Sequence, residues 1–241
     1  MHRNCVRPVL ITDVPEGVLA VYAHPDDAEV ACGGTLASWA AGGAAVHLVI
    51  ACRGDKGTLE EGADADALAQ LRVEEVAAGA AALGLAGYEL LGYPDGELDD
   101  SRALRGALVA AIRRLRPAAV VCPDPTAAFF GRTYINHRDH RVVGWATLDA
   151  VAPAAWSPLY FPATGAPHRV AAVYLSGTLE PDTFVDVEAG LDAKAAALQC
   201  HRTQVRGSAD VLEAAVRRRA ADAGRAAGVR YAEGFRLLTP S

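Results

Sequence analysis

Six strand-like stretches that alternate with helix-forming stretches constrain the fold of this chain more than any other feature. They are VLAVYA (18–23), AVHLVIAC (45–52), YELLG (88–92), AAVVCPD (118–124), RVAAVYLSG (169–177) and TFVDVE (183–188). Strands that are apolar throughout, with helices between them, are typical of βαβ units whose parallel sheet is covered on both faces. The sequence therefore predicts an α/β fold with a mostly parallel sheet in three α/β/α layers.

The helical stretches have recognisable ends. We expect helices over 33–43, 67–85, 101–117, 140–152, 190–202 and 208–226. Ser101 is the expected N-cap of the third helix and Pro117 its terminator, and Gly84 is the expected end of the second. The 241 residues suit a single domain over 1–241, in which residues 1–15 are an N-terminal tail.

The segment 152–168 carries four prolines and three aromatic residues and cannot form a regular helix. We expect an ordered loop there, which either walls a pocket or simply connects two elements at the surface. This segment and the C-terminal helices are also candidates for a subunit contact in a homo-oligomer.

A cluster of polar side chains follows the first predicted strand. His24, Asp26 and Asp27 stand within four positions of one another, where parallel sheets place their ligands, beyond the carboxyl ends of the strands. Capping of the next helix by one aspartate is the alternative explanation. Holding an imidazole and two carboxylates together is costly unless something uses them, so we favour a metal site.

A pair of histidines follows the fourth strand. His137 and His140 lie three residues apart in NHRDHR, and a catalytic zinc takes about three protein ligands plus water. His24, Asp27 and His140 are the predicted ligands. This donor set favours Zn²⁺, with Fe²⁺ as the competitor. Asp26 is then free to take a proton from water, which predicts hydrolysis; an iron(II) oxygenase would leave Asp26 without a task.

Composition excludes several other classes. The net charge is −6 and no stripe of Lys and Arg stands out, so we expect no nucleic-acid partner. No stretch is apolar for long enough to span a membrane, and the first residues do not resemble a signal peptide. The five cysteines, Cys5, Cys32, Cys52, Cys122 and Cys200, are scattered, which favours reduced thiols and a cytoplasmic location.

Five motifs in order carry a resemblance to a known family. They are AHPDDAEVACGGTLA, LRVEE, GYPDGEL, NHRDH and KAAALQCHRTQ. With them the chain resembles the zinc-dependent N-deacetylases of the LmbE-like or PIG-L family, which act on N-acetylglucosamine-type amino sugars and their conjugates. The resemblance implies the Rossmann-like LmbE fold and a small-molecule amino-sugar substrate.

The resemblance also implies roles for single residues. It assigns zinc to His24, Asp27 and His140, and general base catalysis to Asp26. His137 matches a histidine that stabilises the oxyanion or protonates the leaving amine.

Three further residues receive more local roles. Asp139 is expected to orient His137 by a hydrogen bond. Arg72 is expected to contact sugar hydroxyls or, alternatively, to pair with Glu75 on a helix surface. Asp95 is expected to hold a hydroxyl or to be a plain turn residue.

One loop departs from the usual family pattern. TAAFFGRTYIN precedes the histidines, and Arg138 stands where the family usually has proline. Its aromatics, Tyr134 among them, are expected to shape the acceptor pocket and contact substrate. Two alternative functions stay open: an amidase that cleaves a larger acyl or cysteinyl amide, and a non-catalytic protein that binds metal and sugar.

Overall fold

The computed structural model describes residues 8–205 and 207–241; Cys5 of the sequence analysis lies outside them. The strands of the described residues are β1 (Val9–Ile11), β2 (Gly17–Tyr22), β3 (Ala45–Cys52), β4 (Gly87–Tyr93), β5 (Ala119–Pro123), β6 (Phe129–Phe130), β7 (Tyr134–Ile135), β8 (Ala172–Ser176), β9 (Thr183–Asp186) and β10 (Ala232–Leu238). The α-helices are α1 (Asp27–Ala41), α2 (Ala65–Ala82), α3 (Arg102–Leu115), α4 (Arg138–Asp149), α5 (Leu191–Cys200) and α6 (Ala209–Ala227).

Eight of these strands form one sheet, in the order β1-β9-β10-β8-β5-β2-β3-β4. β10 runs antiparallel to β8 and β9, and the other neighbouring pairs are parallel. The prediction of a mostly parallel α/β sheet is confirmed. β6 and β7 form a separate two-stranded ribbon.

The sheet separates two hydrophobic cores, because successive side chains of a strand point to opposite faces. Leu19 and Val21 of β2 pack in one core with α3 and α4. Val18, Ala20 and Tyr22 pack in the other, beneath α1, α2, α5 and α6. Burial on both faces explains why these strands are apolar throughout.

The helix ends follow the sequence closely in α3. Ser101 caps this helix, accepting a hydrogen bond from the backbone N–H of Leu104, and the helix ends at Leu115, shortly before Pro117. α1 differs, because it begins at Asp27 rather than at residue 33. The polar segment after β2 therefore leads straight into a helix.

Four strands were not expected from the sequence. β1 falls within the predicted tail 1–15, and its three residues pair with β9 at the edge of the sheet. β10 was missed because AEGFRLL mixes charged, glycine and apolar residues without a clear period. The two-residue strands β6 and β7 are too short to carry a sequence signal.

The Pro-rich segment 152–168 is ordered around one cation. The guanidinium of Arg113 on α3 donates to the carbonyls of Ala154, Ala155 and Phe161, among others in this segment. One turn of 3-10 helix, Pro162–Thr164, interrupts the loop. Segment 152–168 as a whole packs on the face of the sheet that α3 covers, as a surface connector does.

The order of the strands fixes where a ligand can bind. From β2 the chain winds to β3 and β4 on one side, then returns to place β5 on the other side of β2. Such a reversal opens a crevice at the carboxyl ends of the two central strands. Among the described residues, no helix is long and apolar enough to cross a membrane.

Candidate metal centre

The first half of the site is the turn between β2 and α1. Asp26 occupies the N-cap position with a left-handed backbone, φ 90° and ψ −21°. Asp27, the first helical residue, accepts a hydrogen bond from the backbone N–H of His24 at 2.8 Å. The carboxylate of Asp27 thus folds back over the end of β2, towards the imidazole of His24.

The second half follows β5. The chain passes through the β6–β7 ribbon and reaches Asn136, His137 and the start of α4. His140 lies in the first turn of that helix. Because β2 and β5 are adjacent, both histidine segments meet at the crevice described above.

Three side chains converge there with ligand-like spacing. His24 Nδ1 lies 3.2 Å from His140 Nε2 and 3.3 Å from Asp27 Oδ2. His140 Nε2 lies 3.1 Å from Asp27 Oδ1. With bonds of about 2.0–2.1 Å, the corners of a tetrahedral zinc site are about 3.3–3.4 Å apart. The three donors therefore fit a tetrahedral metal ion with a fourth position left open.

The other nitrogen of His24 is held by two carboxylates. Nε2 lies 3.0 Å from Asp95 Oδ1 and 3.2 Å from Asp139 Oδ2. Burial lowers the pKa of His24, but hydrogen bonds with Asp139, Asp27 and Asp95 outweigh burial and hold this pKa well above its ordinary value. The surroundings of His24 thus favour a positive charge, as a proton or as a bound cation.

His140 is oriented by a residue that the sequence analysis did not single out. Its Nδ1 lies 3.0 Å from Oδ1 of Asn136, which is buried and donates in turn to the Ala127 carbonyl. An amide oxygen can only accept, so the proton of a neutral His140 lies on Nδ1. The lone pair of Nε2 is then available to a metal. Only its position four residues before His140 in NHRDH could have indicated this role.

His137 stands beside these donors at the N-cap of α4. Its ring meets that of His24 edge to face, with 4.8 Å between centroids. Its Nδ1 accepts a hydrogen bond from the backbone N–H of Asp139 at 3.3 Å. Burial and the charge of His24 lower the pKa of His137. A neutral ring with Nδ1 as acceptor carries its proton on Nε2, as a hydrogen-bond donor.

The position of Asp139 corrects one expectation. This fully buried carboxylate accepts from the backbone N–H of Gly96 at 2.7 Å and contacts His24, whereas His137 Nδ1 is 3.9 Å away. The carboxylate of Asp139 therefore orients His24, and only the backbone N–H of Asp139 donates to His137. Burial opposes ionisation, but the bonds to His24 and Gly96 hold the pKa of Asp139 at about 2.

Two residues expected to touch substrate are engaged elsewhere. Asp95 is buried with Oδ1 3.0 Å from Nε2 of His24, so it holds this imidazole and is not a plain turn residue. Arg72 is buried, donates to the Gly54 and Pro25 carbonyls and lies 3.6 Å from Asp26 Oδ1. Pairing of Arg72 with Glu75 is also wrong, since Glu75 accepts from Thr203.

Asp26 differs from the other carboxylates of the site. Its side chain makes no capping hydrogen bond to α1 within the described part of the chain. Burial, followed by the charge of Asp27, raises the pKa of Asp26 to about 7. A carboxyl group with such a pKa exchanges protons readily near neutral pH.

A cavity of about 350 Å³ opens onto Asp27 and His140. Phe130 and Tyr134 of the ribbon line one side of it, and their rings lie 5.8 Å apart. No residue of segment 152–168 is among the described residues that line this cavity. The pocket-wall alternative for that segment is therefore not supported at this site.

The family can now be stated from comparison with known proteins. The sequence model described as "PIG-L: GlcNAc-PI de-N-acetylase" matches residues 19–151. The chain belongs to this family. The match spans both halves of the site, from β2 through α4.

Curated and solved relatives agree with this assignment. A diacetylchitobiose deacetylase of Thermococcus kodakarensis is 32% identical over 92% of this chain and 82% of its own length. A 1D-myo-inositol 2-acetamido-2-deoxy-alpha-D-glucopyranoside deacetylase of Rhodococcus jostii is 34% identical over 78% of this chain and 81% of its own. The solved N,N'-diacetylchitobiose deacetylase of Pyrococcus horikoshii superposes with a TM-score of 0.83 at 30% identity, covering 98% of this chain and 90% of that one.

Proposed function

We propose that this protein is a zinc-dependent hydrolase that removes the N-acetyl group of an N-acetylglucosamine-type amino sugar or its conjugate. The observation that carries the proposal is the convergence of His24 Nδ1, His140 Nε2 and the Asp27 carboxylate beside Asp26. The relatives named as deacetylases of acetamido sugars support the same reaction.

The donor set suits zinc. Two imidazoles and one carboxylate with an open fourth position are typical of hydrolytic zinc sites, and Fe²⁺ is the alternative. Zn²⁺ held there supplies a Lewis acid for the amide carbonyl and lowers the pKa of water towards about 7. The chain's own residues then have separate tasks.

Asp26 is the proposed general base. Its carboxylate accepts the proton of the attacking water and returns it to the departing amine, for which a pKa of about 7 is well matched. Arg72 is a positioning residue. It ties the Pro25 carbonyl to the loop at Gly54 and keeps a buried positive charge 3.6 Å from Asp26.

His137 is the proposed donor to the oxyanion. Its Nε2–H is available because Nδ1 accepts from the backbone, and its lowered pKa keeps the ring neutral at pH 7. Removal of one hydrogen-bond donor that faces developing negative charge lowers kcat by a factor on the order of 10²–10³.

Tyr134 and Phe130 form the proposed sugar-binding wall of the cavity. Sugar rings present apolar C–H faces as well as hydroxyls, and aromatic side chains cover such faces with little loss of conformational entropy. Location in the cytoplasm and assembly as a homo-oligomer remain predictions from the sequence.

The test combines metal analysis with turnover. Purified protein is assayed for bound metal and for amine release from free N-acetylglucosamine, an inositol-linked form, a malate-linked form and an N-acetylated glycopeptide. We expect about one zinc per chain and amine release from at least one acetamido sugar.

Three results would contradict the proposal. Release only from larger N-acyl or cysteinyl amides would establish the amidase alternative instead. Zinc binding with no hydrolysis of any amide would indicate a binding protein. Failure to take up zinc at all would remove the metal centre itself.

A further inference from the structure

A second cavity, of about 520 Å³, lies beside the catalytic pocket under α6. We call it the α6 groove. Its larger apolar side chains are Phe184, Leu198, Val205, Leu212 and Val216, and four charged residues, Lys194, Arg219, Asp222 and Glu233, also line it. Small residues of α6 such as Ala223 complete the wall and leave the space open. A cavity of this size and composition is typical of sites for small apolar ligands.

The α6 groove adjoins the catalytic pocket. Both cavities are lined by Val30, Ala31, Gly177 and Arg219. Val30 and Ala31 belong to α1, about one turn beyond Asp27. A substituent on a sugar bound at Asp27 and His140 can therefore extend past Val30 and Ala31 into the groove.

The two buried charges of the groove wall, on Lys194 and Glu233, are paired with each other. Lys194 Nζ donates to Glu233 Oε1 at 2.6 Å and to the Val30 carbonyl at 3.1 Å. The side chains of Lys194 and Glu233 are buried. The Glu233 carboxylate also accepts from the backbone N–H groups of Gly34 and Thr35. The buried part of the groove thus offers apolar contact to an occupant, whereas the charged Arg219 and Asp222 are exposed to solvent.

We propose that the α6 groove binds an apolar substituent, an alkyl or acyl chain, carried by the aglycone of the amino-sugar substrate. The inference rests on the proposed function, because the sugar must anchor the chain at the catalytic pocket. A second copy of this chain is a less suitable occupant, since it would cover the junction at Arg219 through which substrate passes.

The first experiment uses the zinc-loaded enzyme and a homologous series of alkyl 2-acetamido-2-deoxy-glucosides, from methyl to decyl. Burial of one methylene is worth about 0.8 kcal/mol, or roughly a fourfold change in an equilibrium. We expect kcat/KM to rise about two- to fourfold per methylene until the groove is filled. A kcat/KM that is independent of chain length would overturn the inference.

Two matched variants locate the effect. Ala223→Phe fills the groove, whereas Ala214→Phe places the same ring on the exposed side of α6. The readout is the ratio of kcat/KM for octyl and methyl glycosides within each variant, which cancels any general loss of activity. We expect the ratio to fall to near one in Ala223→Phe and to stay high in Ala214→Phe. Equal ratios in the two variants would contradict the assignment.

A binding measurement separates this inference from the proposed function. Octyl glucoside, which has no acetamide, is titrated calorimetrically below its micellar concentration, with methyl glucoside as the reference. If octyl glucoside binds the wild type and Ala223→Phe abolishes this binding, the groove is supported as an alkyl-chain site even if no acetamido sugar is hydrolysed. Absence of this binding, or a dimer that Ala223→Phe alone disrupts, would overturn the inference.

Discussion

Asp26 combines an unfavourable backbone with an unusual carboxyl group. A non-glycine residue at φ 90° is strained, and such strain persists only where the surroundings enforce it. Here Arg72 holds the neighbouring carbonyl of Pro25, and the chain on either side is fixed by β2 and α1. The strain keeps the Asp26 carboxylate from capping the helix and leaves it available for proton transfer.

Replacement of Asp26 by Asn tests this role. We expect Asp26→Asn to keep bound zinc within about twofold of the wild type, since the metal donors are untouched. Loss of a general base costs on the order of 10²–10⁴ in kcat. The measurement is kcat beside metal content, with Asp210→Asn on the exposed first turn of α6 as the control. Survival of more than a tenth of kcat would remove Asp26 from the mechanism.

Asn136 gives a second residue-scale prediction. Asn136→Ala removes the oxygen that fixes the ring of His140. Outer-shell partners of metal-binding histidines are worth about 10- to 100-fold in metal affinity. We expect a loss of that size in competition with a chelator, and recovery in Asn136→Asp, which restores an acceptor. An unchanged zinc affinity in Asn136→Ala would show that packing alone orients His140.

Single residues were predictable from the sequence where chemistry and chain position coincide. The grouping of His24 with Asp27 and the position of His140 after a strand predict that the three side chains meet, and their donor atoms lie within 3.3 Å of one another. The contacts of Arg72, Asp95 and Asp139 depend on how α2, the β4–α3 turn and α4 approach β2. Such approaches are tertiary, so the sequence indicated polar residues near the site but not their partners.

At the scale of elements, segment 152–168 depends on Arg113. This buried guanidinium bonds carbonyls from Ala154 to Gly165 and also the Thr164 hydroxyl. Without it, buried carbonyls of the segment lose their donor, which costs about 1–3 kcal/mol for a group left unsatisfied. The cation thus replaces the regular hydrogen bonds that four prolines prevent.

Substitution of Arg113 should therefore act on stability and not on chemistry. We expect Arg113→Met to lower the free energy of unfolding by about 2–4 kcal/mol. Activity per folded molecule should stay near wild type, since the segment lies on the α3 face. Urea denaturation provides the measurement. Arg114→Met, which removes an exposed pair with Glu89, is the control and should cost less than about 1 kcal/mol.

The elements also show what a sequence can predict. β3 occupies 45–52 as expected, and β2 differs from its prediction by one residue at each end, because buried parallel strands are apolar throughout. The exposed edge strand β1 and the antiparallel β10 carry mixed residues. Their pairing is set by the sheet they join, which local sequence does not encode.

At the scale of the whole molecule, folding gathers charge that the unfolded chain keeps apart. His24 and His140 are 116 residues apart in sequence and 3.2 Å apart at their nearest nitrogens. Asp26, Asp27, Asp95 and Asp139 come together around them. Carboxylates held this closely repel one another, so a bound divalent cation offsets a cost that folding otherwise imposes.

Metal should therefore stabilise the native fold as a whole. Because only the folded chain assembles the donors, zinc at 100 times its Kd should add about 2.7 kcal/mol to the free energy of unfolding. The measurement is urea denaturation of metal-stripped protein with and without zinc. His140→Ala serves as the control. It should lose most of the increment, because it removes one of the three metal donors. If zinc stabilised this variant as much as the wild type, the stabilising zinc would bind elsewhere. If zinc did not stabilise the variant, the stability gained from zinc would come from the site where β2 and β5 meet.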